Sequence, residues 1–366
     1  MTDAARHPGP AVAQTLRSAP DPQQALGPLQ APGPLQAPGP QQAPGLTARP
    51  LEYLPIALFG SVMGLTGLSV AWHQAAVLYG ASPRVAQSIG YAAIAVFVVL
   101  AIAYGVKTIC APHAVRAEFA HPVTRSLFGT AFISLLLLPI VLAPLSLTLA
   151  RATWTMGAVA MLLFAWFVID RWMSDRQQVS HAAPAWLVPV VGLLDVPIAV
   201  PVLGLPPMHG LMVACLAIGL FFAIPLFSMV FSRLLFEPAL PDAAQPTLLI
   251  LVAPFAVGFL AYVSVSGGVD MFAEGLYGLT IFMVTILVGR LRRMLVCCPF
   301  RLAWWAVSFP LAAVASAALR YAAARPNPVS NGLAMAFLGL ATGVIAILAV
   351  RTLTGIARGE LRSLGT

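Results

Sequence analysis

Ten long apolar stretches, separated by short segments that hold most of the charge, constrain this chain more than any other feature. They cover about residues 54–72, 85–106, 126–149, 152–169, 185–203, 210–231, 247–265, 271–289, 302–319 and 332–350. Stretches of roughly 18 to 22 residues can cross the hydrocarbon core of a bilayer as helices. An open strand would leave its backbone groups unpaired in lipid. The sequence therefore predicts an all-α polytopic membrane protein with ten transmembrane helices.

The low charge content argues against a soluble protein and against a nucleic-acid-binding protein. Only 9% of the 366 residues are charged, against about 25% in soluble domains. The formal net charge of +8 would suit nucleic-acid binding in a soluble protein. Here the basic residues lie in short loops, where they orient a membrane protein. The expected partner is therefore the lipid bilayer, and no nucleic acid is expected.

The basic residues also predict an orientation. Sixteen of the 20 Lys and Arg residues fall in the tails or in loops after even-numbered stretches, and the remaining four are Arg84, Arg151, Arg320 and Arg325. The positive-inside rule then places both termini in the cytoplasm. Residues 1–50 lack a continuous apolar segment, so no cleavable signal is expected and the first stretch acts as the insertion signal. A bacterial-type inner membrane is the expected location.

Three regions follow from composition. Residues 1–50 are dominated by Pro, Gln, Ala and Gly and repeat Leu-Gln-Ala-Pro-Gly-Pro. Such a segment cannot bury a core and is predicted to be disordered. A docking role for this tail is conceivable, but a neutral extension is favoured. Residues 51–356 form the predicted transmembrane domain, and residues 357–366 form a short cytoplasmic tail.

Proline placement distinguishes odd from even stretches. The third, fifth, seventh and ninth contain Pro139 and Pro144, Pro189 and Pro197, Pro254, and Pro310, whereas among even stretches only the sixth contains a proline, Pro225. Interior prolines bend helices, and bent helices are tolerated where they line a cavity. The pattern predicts five tandem helical hairpins around a central pore, with helix kinks at Pro139, Pro197, Pro254 and Pro310. The alternative is that proline is simply common in transmembrane helices.

Candidate chemical groups are few. The cysteines Cys110, Cys215, Cys297 and Cys298 lack zinc-site spacing, so neither a metal nor another cofactor is expected. Asp195 is the one carboxylate expected at membrane depth, where an ionisable residue is a functional candidate. It is either protonated, as a hydrogen-bond donor or proton carrier, or turned away from the pore and paired. Without a nearby histidine or second carboxylate, an enzyme is not expected.

Four strings in the odd stretches resemble one known family. They are residues 55–60 with Gly64, residues 184–192, residues 246–254, and Ala303-Trp-Trp-Ala-Val-Ser-Phe-Pro310. In order and position they resemble the tellurite-resistance and dicarboxylate transporter family. That family includes bacterial TehA, yeast malate and sulfite transporters, and plant slow anion channels. The resemblance covers nearly all of residues 51–356.

The resemblance implies a fold and a function. It implies five hairpins around a pore in each protomer, assembly as a homotrimer, and closure of the pore by Phe309. The alternative for Phe309 is a core aromatic packed between helices. The implied function is the transport of small anions across the inner membrane. The candidate anions are C4-dicarboxylates, sulfite-like oxyanions and tellurite-type oxyanions. A proton-coupled dicarboxylate carrier or exporter using Asp195 is the alternative.

Four arginines and two tryptophans have simple interpretations that need no functional role. Arg84, Arg151, Arg320 and Arg325 could give an outer vestibule a positive field, although solvated loop residues are the simpler interpretation. Trp304 and Trp305 are expected to be interfacial anchors at the membrane edge.

Overall fold

The structure is a computed structural model that describes residues 51–206, 208–297 and 300–360, with side chains described outside 291–299. All regular elements within these ranges are helical. Ten helical segments are long and apolar enough to cross a membrane, and they are numbered here as spans 1 to 10: Ile56–Tyr79, Pro83–Cys110, Pro122–Leu142, Leu147–Ser174, Pro184–Leu203, His209–Phe236, Gln245–Ser266, Met271–Arg290, Leu302–Ala324 and Pro328–Ala357. The predicted all-α fold with ten spans is confirmed. The predicted tail at residues 1–50, Cys298 and residues 361–366 lie outside the described residues.

Odd and even spans differ in burial. Between 50% and 89% of the most apolar part of each odd span is buried, against 11% to 39% for each even span. The even spans are single α-helices, and the eighth continues to Cys297. In a bilayer, apolar residues on exposed helix faces meet lipid at no cost. The odd spans therefore form the interior of the molecule and the even spans form its exterior.

The contacts between odd spans form a closed cycle. Span 1 contacts span 3, span 3 contacts span 5, span 5 contacts span 7, span 7 contacts span 9, and span 9 returns to span 1. Each even span packs against the odd span that precedes it. The five odd spans are therefore neighbours of one another in a closed order.

Four odd spans begin with a 3₁₀ segment before the α-helix starts. These segments are Ile56–Leu58, Pro184–Leu187, Gln245–Val252 and Leu302–Val307, followed by α-helices from Phe59, Val188, Ala253 and Ser308. Pro189, Pro254 and Pro310 fall in the first turn of these α-helices rather than in their interiors. A proline has no N–H to continue a helical ladder, and the first turn tolerates this best. These prolines mark a change of helix type.

The other prolines occupy different positions. Pro139 lies inside the helix Gly129–Leu142, and Pro144 lies beyond its end, contrary to the prediction. Span 5 is interrupted at Asp195, between the helices Val188–Leu194 and Val196–Leu203. Pro197 is in the first turn of the second helix.

The boundary between spans 3 and 4 also differs from the prediction. Span 3 ends at Leu142, not near residue 149, and span 4 begins at Leu147. The hydroxyl of Ser146 accepts a hydrogen bond from the Leu149 N–H, 3.3 Å away, and caps the new helix. Arg151, predicted in a loop, therefore lies within span 4.

Spans 1 and 9 approach each other closely because span 1 presents glycine. A Cβ on Gly64 would overlap the Oγ and Cβ of Ser308. The Ser308 hydroxyl donates to the carbonyl of Trp305 at 2.6 Å and reaches the carbonyl of Gly60 at 3.2 Å. Small residues allow transmembrane helix backbones to pack in this way.

Candidate functional site

In the described part of the chain, two cavities lie among the odd spans. The first, called the N-side cavity, has a volume of about 80 Å³ and lies among the N-terminal halves of the odd spans. The second, called the C-side cavity, has a volume of about 40 Å³ and lies among their C-terminal halves. Every residue that lines either cavity belongs to an odd span, and each of the five odd spans contributes to both.

The lining follows one stripe on each helix. Span 7 contributes Ile250 and Ala253 to the N-side cavity, and Val257 and Leu260 to the C-side cavity. Residues three or four apart lie on one helix face. The two cavities are therefore bounded by the same face of each odd span.

Among the residues that the structure describes, Phe309 alone lines both cavities. It is the second residue of the helix Ser308–Ala324, directly after the 3₁₀ segment of span 9. Its side chain is 8% exposed. Across from it, span 1 has Gly67, whose added Cβ would lie 3.8 Å from the Phe309 ring. The ring thus stands between the two cavities, against a helix surface without a side chain.

Asp195 lies at the break in span 5 and lines the C-side cavity. The residue is fully buried, and neither carboxylate oxygen has a hydrogen-bond partner among the described residues. The account in which Asp195 turns away and pairs with an arginine or with backbone therefore does not describe this structure. A buried charge without a partner is costly, so the group is a strong candidate for a functional role.

Two further polar residues line the C-side cavity, and sequence reasoning missed both. They are Gln74 of span 1 and Ser316 of span 9. The Oε1 atom of Gln74 is buried and has no hydrogen-bond partner among the described residues. The predicted first stretch ended at residue 72, which placed Gln74 in a loop. Only a longer first stretch, ending at Tyr79, would have placed Gln74 inside a span.

The four predicted kink prolines have different surroundings. Pro310 lines the N-side cavity, whereas Pro254 lines a separate apolar groove among spans 6, 7 and 8. Pro139 and Pro197 are buried, and neither is among the residues that line the two cavities.

The tryptophans of span 9 are not interfacial anchors, and that prediction is wrong. Trp304 and Trp305 are 5% and 3% exposed. The indole N–H of Trp305 donates to Oγ1 of Thr352 at 2.9 Å, which joins span 9 to span 10. Trp305 also lines the N-side cavity. Both residues lie in the 3₁₀ segment Leu302–Val307.

Basic residues lie nearer the protein interior than the sequence indicated. Lys107 is fully buried, and Arg233, predicted in a loop, is buried within span 6. Arg151 donates to the carbonyls of Leu203 and Gly204 at 2.9 and 3.0 Å. Arg325 pairs with Glu274 at 2.9 Å. Two of the four proposed vestibule arginines thus interact with other groups of the protein, although Arg325 stays exposed.

Within the described ranges no group of three His, Cys, Asp or Glu side chains is placed to hold a metal ion. The ten candidate spans and the two cavities define the class as a multi-pass membrane protein with internal cavities. Residues 53–353 match the model of the voltage-dependent anion channel family. The chain belongs to this family, whose named members are anion channels and transporters.

Several relatives support the assignment. The S-type anion channel SLAH2 of Arabidopsis thaliana is 27% identical over 328 residues, covering 84% of this chain and 60% of the relative. The guard cell S-type anion channel SLAC1 of the same plant is 24% identical, covering 82% of this chain and 55% of the relative. The tellurite resistance protein TehA homolog of Haemophilus influenzae is 26% identical, covering 84% and 92%. The chain thus spans little more than half the length of these plant channels.

Proposed function

We propose that this protein moves small anions across a membrane through a pore in each chain, gated by Phe309. The observation that carries the proposal is that Phe309 lines both cavities among the odd spans. Family membership and the names of the relatives support anions as the substrate class. The substrate candidates are C4-dicarboxylate, sulfite-like and tellurite-type oxyanions.

The chemistry of the gate is simple. An apolar ring at a constriction blocks an ion and disfavours the water that would solvate it. Rotation of the Phe309 side chain would join the N-side and C-side cavities. The nearby Gly67 offers no side chain to oppose that rotation.

Anion preference would come from the backbone. The ten spans cross in alternate directions, so the five odd spans run parallel and start at the same end. Each helix N-terminus carries a partial positive charge. Five such ends around the N-side cavity would favour an anion without a buried arginine. In the orientation that the positive-inside rule predicts, the N-side cavity lies toward the cytoplasmic side of a bacterial-type inner membrane, and both termini lie on that side.

Assembly and domain roles belong to the same proposal. Residues 51–356 would carry transport, with residues 1–50 and 357–366 as tails. Family resemblance supports a homotrimer with one pore in each protomer. Deleting residues 1–50 should leave anion flux intact if the tail is a neutral extension.

The deciding experiment is anion flux in proteoliposomes, with voltage and pH gradient clamped separately. Phe309→Ala should raise the flux about tenfold or more, equivalent to a barrier lowered by about 1.4 kcal/mol. Phe337→Ala is the matched control, because Phe337 is similarly buried at 9% exposure but lies on span 10, away from both cavities. Equal flux through the two variants would refute the gate.

A second candidate function is a proton-coupled dicarboxylate carrier or exporter that uses Asp195. The observation in its favour is a fully buried carboxylate without a described partner, in the cavity next to Phe309. Asp195→Asn removes the titration and keeps the shape. If this variant retained the wild-type dependence of uptake on pH, the candidate would lose its support.

A further inference from the structure

The C-side cavity holds three polar side chains that the gate does not use. Asp195 comes from span 5, Gln74 from span 1 and Ser316 from span 9, so three odd spans bring them together. The other lining residues are apolar side chains and glycine. Both oxygens of Asp195 and Oε1 of Gln74 have no hydrogen-bond partner among the described residues. Buried polar groups are normally satisfied, so this cluster points to a ligand.

The charged groups on neighbouring helices do not neutralise Asp195. On span 4, Trp154 donates to the carbonyl of Val196 at 3.1 Å, while Arg151 is bound to the carbonyl of Leu203. Leu203 is eight residues beyond Asp195, or about 12 Å along a helix. The residues of spans 1, 3, 7 and 9 that line the cavity are uncharged.

Titratable groups on the helices packed against span 5 lie elsewhere. On span 6, Cys215 is buried, and Arg233 is fourteen residues beyond Gly219, the position that packs against Leu194. On span 7, Tyr262 donates to Asp270 at the surface. The remaining charged or titratable groups of spans 3, 4 and 6 lie at the span ends. Arg125 of span 3 donates to the carbonyls of Phe119 and Ala120. Asp170, Arg171 and His209 are exposed. A proton is therefore the simplest means to neutralise Asp195.

We propose that the C-side cavity binds a small monovalent anion together with one proton, with Asp195 holding the proton and Gln74 and Ser316 donating hydrogen bonds to the anion. This inference rests on the proposed transport function and assigns its binding site. Protonated Asp195 can donate to Oε1 of Gln74, which leaves the Gln74 amide N–H groups for the anion. Deprotonated Asp195 repels an anion at this short range.

The size of the cavity sets the class of anion. One water-sized probe needs about 10–15 Å³, so about 40 Å³ accommodates only a few atoms. An anion of the size of nitrate, formate or chloride fits, whereas a C4-dicarboxylate does not fit with Phe309 in its present position. The donors are an amide and a hydroxyl without a fixed cation, which suits a single negative charge.

The test measures nitrate uptake by the full chain in proteoliposomes over a series of pH values at zero voltage. Gln74→Leu should raise the KM for nitrate about tenfold and move the midpoint of the pH profile to lower pH, because protonated Asp195 loses the acceptor for its hydrogen bond. Ser316→Ala should raise KM by a smaller factor, since one donor is lost. Gln87→Leu is the matched control, because Gln87 is an exposed glutamine on span 2. An equal KM for Gln74→Leu and Gln87→Leu would overturn the assignment.

Two further variants keep the inference testable if Gln74→Leu fails to fold. Asp195→Asn should remove the pH dependence of nitrate uptake. Gln74→Glu, nearly equal in size, should abolish uptake at neutral pH and restore it in acid. A wild-type pH profile in either variant would contradict the proton requirement. Malate should not compete with nitrate in the wild type, and strong competition would contradict the size assignment.

The outcomes separate this inference from the proposed function. If neither the wild type nor Phe309→Ala carries nitrate or any other small anion, the transport function itself fails. If Phe309→Ala raises nitrate flux above that of Phe337→Ala while the Gln74 and Ser316 variants behave like Gln87→Leu, only the binding site fails.

Discussion

The buried Lys107 at the end of span 2 gives the sharpest test of what holds this fold together. Its Nζ donates to the carbonyl of Leu54 at 2.6 Å and to Oε1 of Glu118 at 2.7 Å. The hydroxyl of Tyr104 donates to Oε2 of Glu118 at 2.8 Å. Leu54 precedes span 1, and Glu118 lies on the short helix Pro112–Ala120. One ammonium group therefore joins three segments of the chain.

Lys107→Met should destabilise the protein because it keeps the apolar stem and removes the charge. A hydrogen bond to a charged group contributes about 1.5–3 kcal/mol, so two such bonds amount to roughly 3–6 kcal/mol. The Lys107 side chain is 1% exposed, but that of Glu118 is 22% exposed and can turn toward water. We therefore expect a loss of about 2–4 kcal/mol in the free energy of unfolding.

The measurement is unfolding by SDS in mixed micelles, with Arg171→Met as the control. Arg171 pairs with Asp175 at 2.6 Å, but the two side chains are 48% and 46% exposed. Such a surface pair contributes less than about 1 kcal/mol. If Lys107→Met lowered the free energy of unfolding no more than Arg171→Met does, burial would add nothing to the Lys107 interactions and the reasoning would be wrong.

Two other predictions concern helix packing and pH. Gly64→Ala should cost about 1–3 kcal/mol, because its Cβ would overlap Ser308; Gly332→Ala, with open space around it, should be neutral or slightly stabilising in the same unfolding assay. The Ala273 N–H, 3.0 Å from Oδ1 of Asp270, holds the pKa of this carboxyl below its usual range. The contribution of Asp270 to the free energy of unfolding is thus present above about pH 3.9 and is lost as the pH falls through the lowered pKa. Asp270→Asn should therefore lose less stability on acidification than the wild type. Equal losses in the two proteins would argue against the cap.

Hydrophobic length was sufficient to predict the spans because the bilayer imposes it. A helix that crosses lipid must be apolar over a fixed length, and this requirement is local in sequence. The ten spans were predicted in the right order for that reason. The boundary after Leu142 was missed because the apolar run continues through it, although Pro144 and the cap at Ser146 mark the break between the two helices.

Local rules predicted proline geometry less well. A proline inside an apolar stretch suggests a bend, and Pro139 does lie inside a helix. Pro189, Pro254 and Pro310 instead follow 3₁₀ segments in spans 5, 7 and 9. Sequence could not separate these cases because the choice between 3₁₀ and α hydrogen bonding depends on the packing of neighbouring helices.

The sequence by itself determined that this chain lives in a membrane, how many times it crosses, and that Asp195 and Phe309 were worth following. Only the tertiary structure decided that Phe309 lines two cavities, that Asp195 faces one of them without a described partner, and that Gln74 and Ser316 share it. Gln74 and Ser316 are 242 positions apart in the sequence. Residues so distant meet only when the odd spans close into a cycle, and that closure arises from contacts between helices, which hydropathy along the chain does not encode.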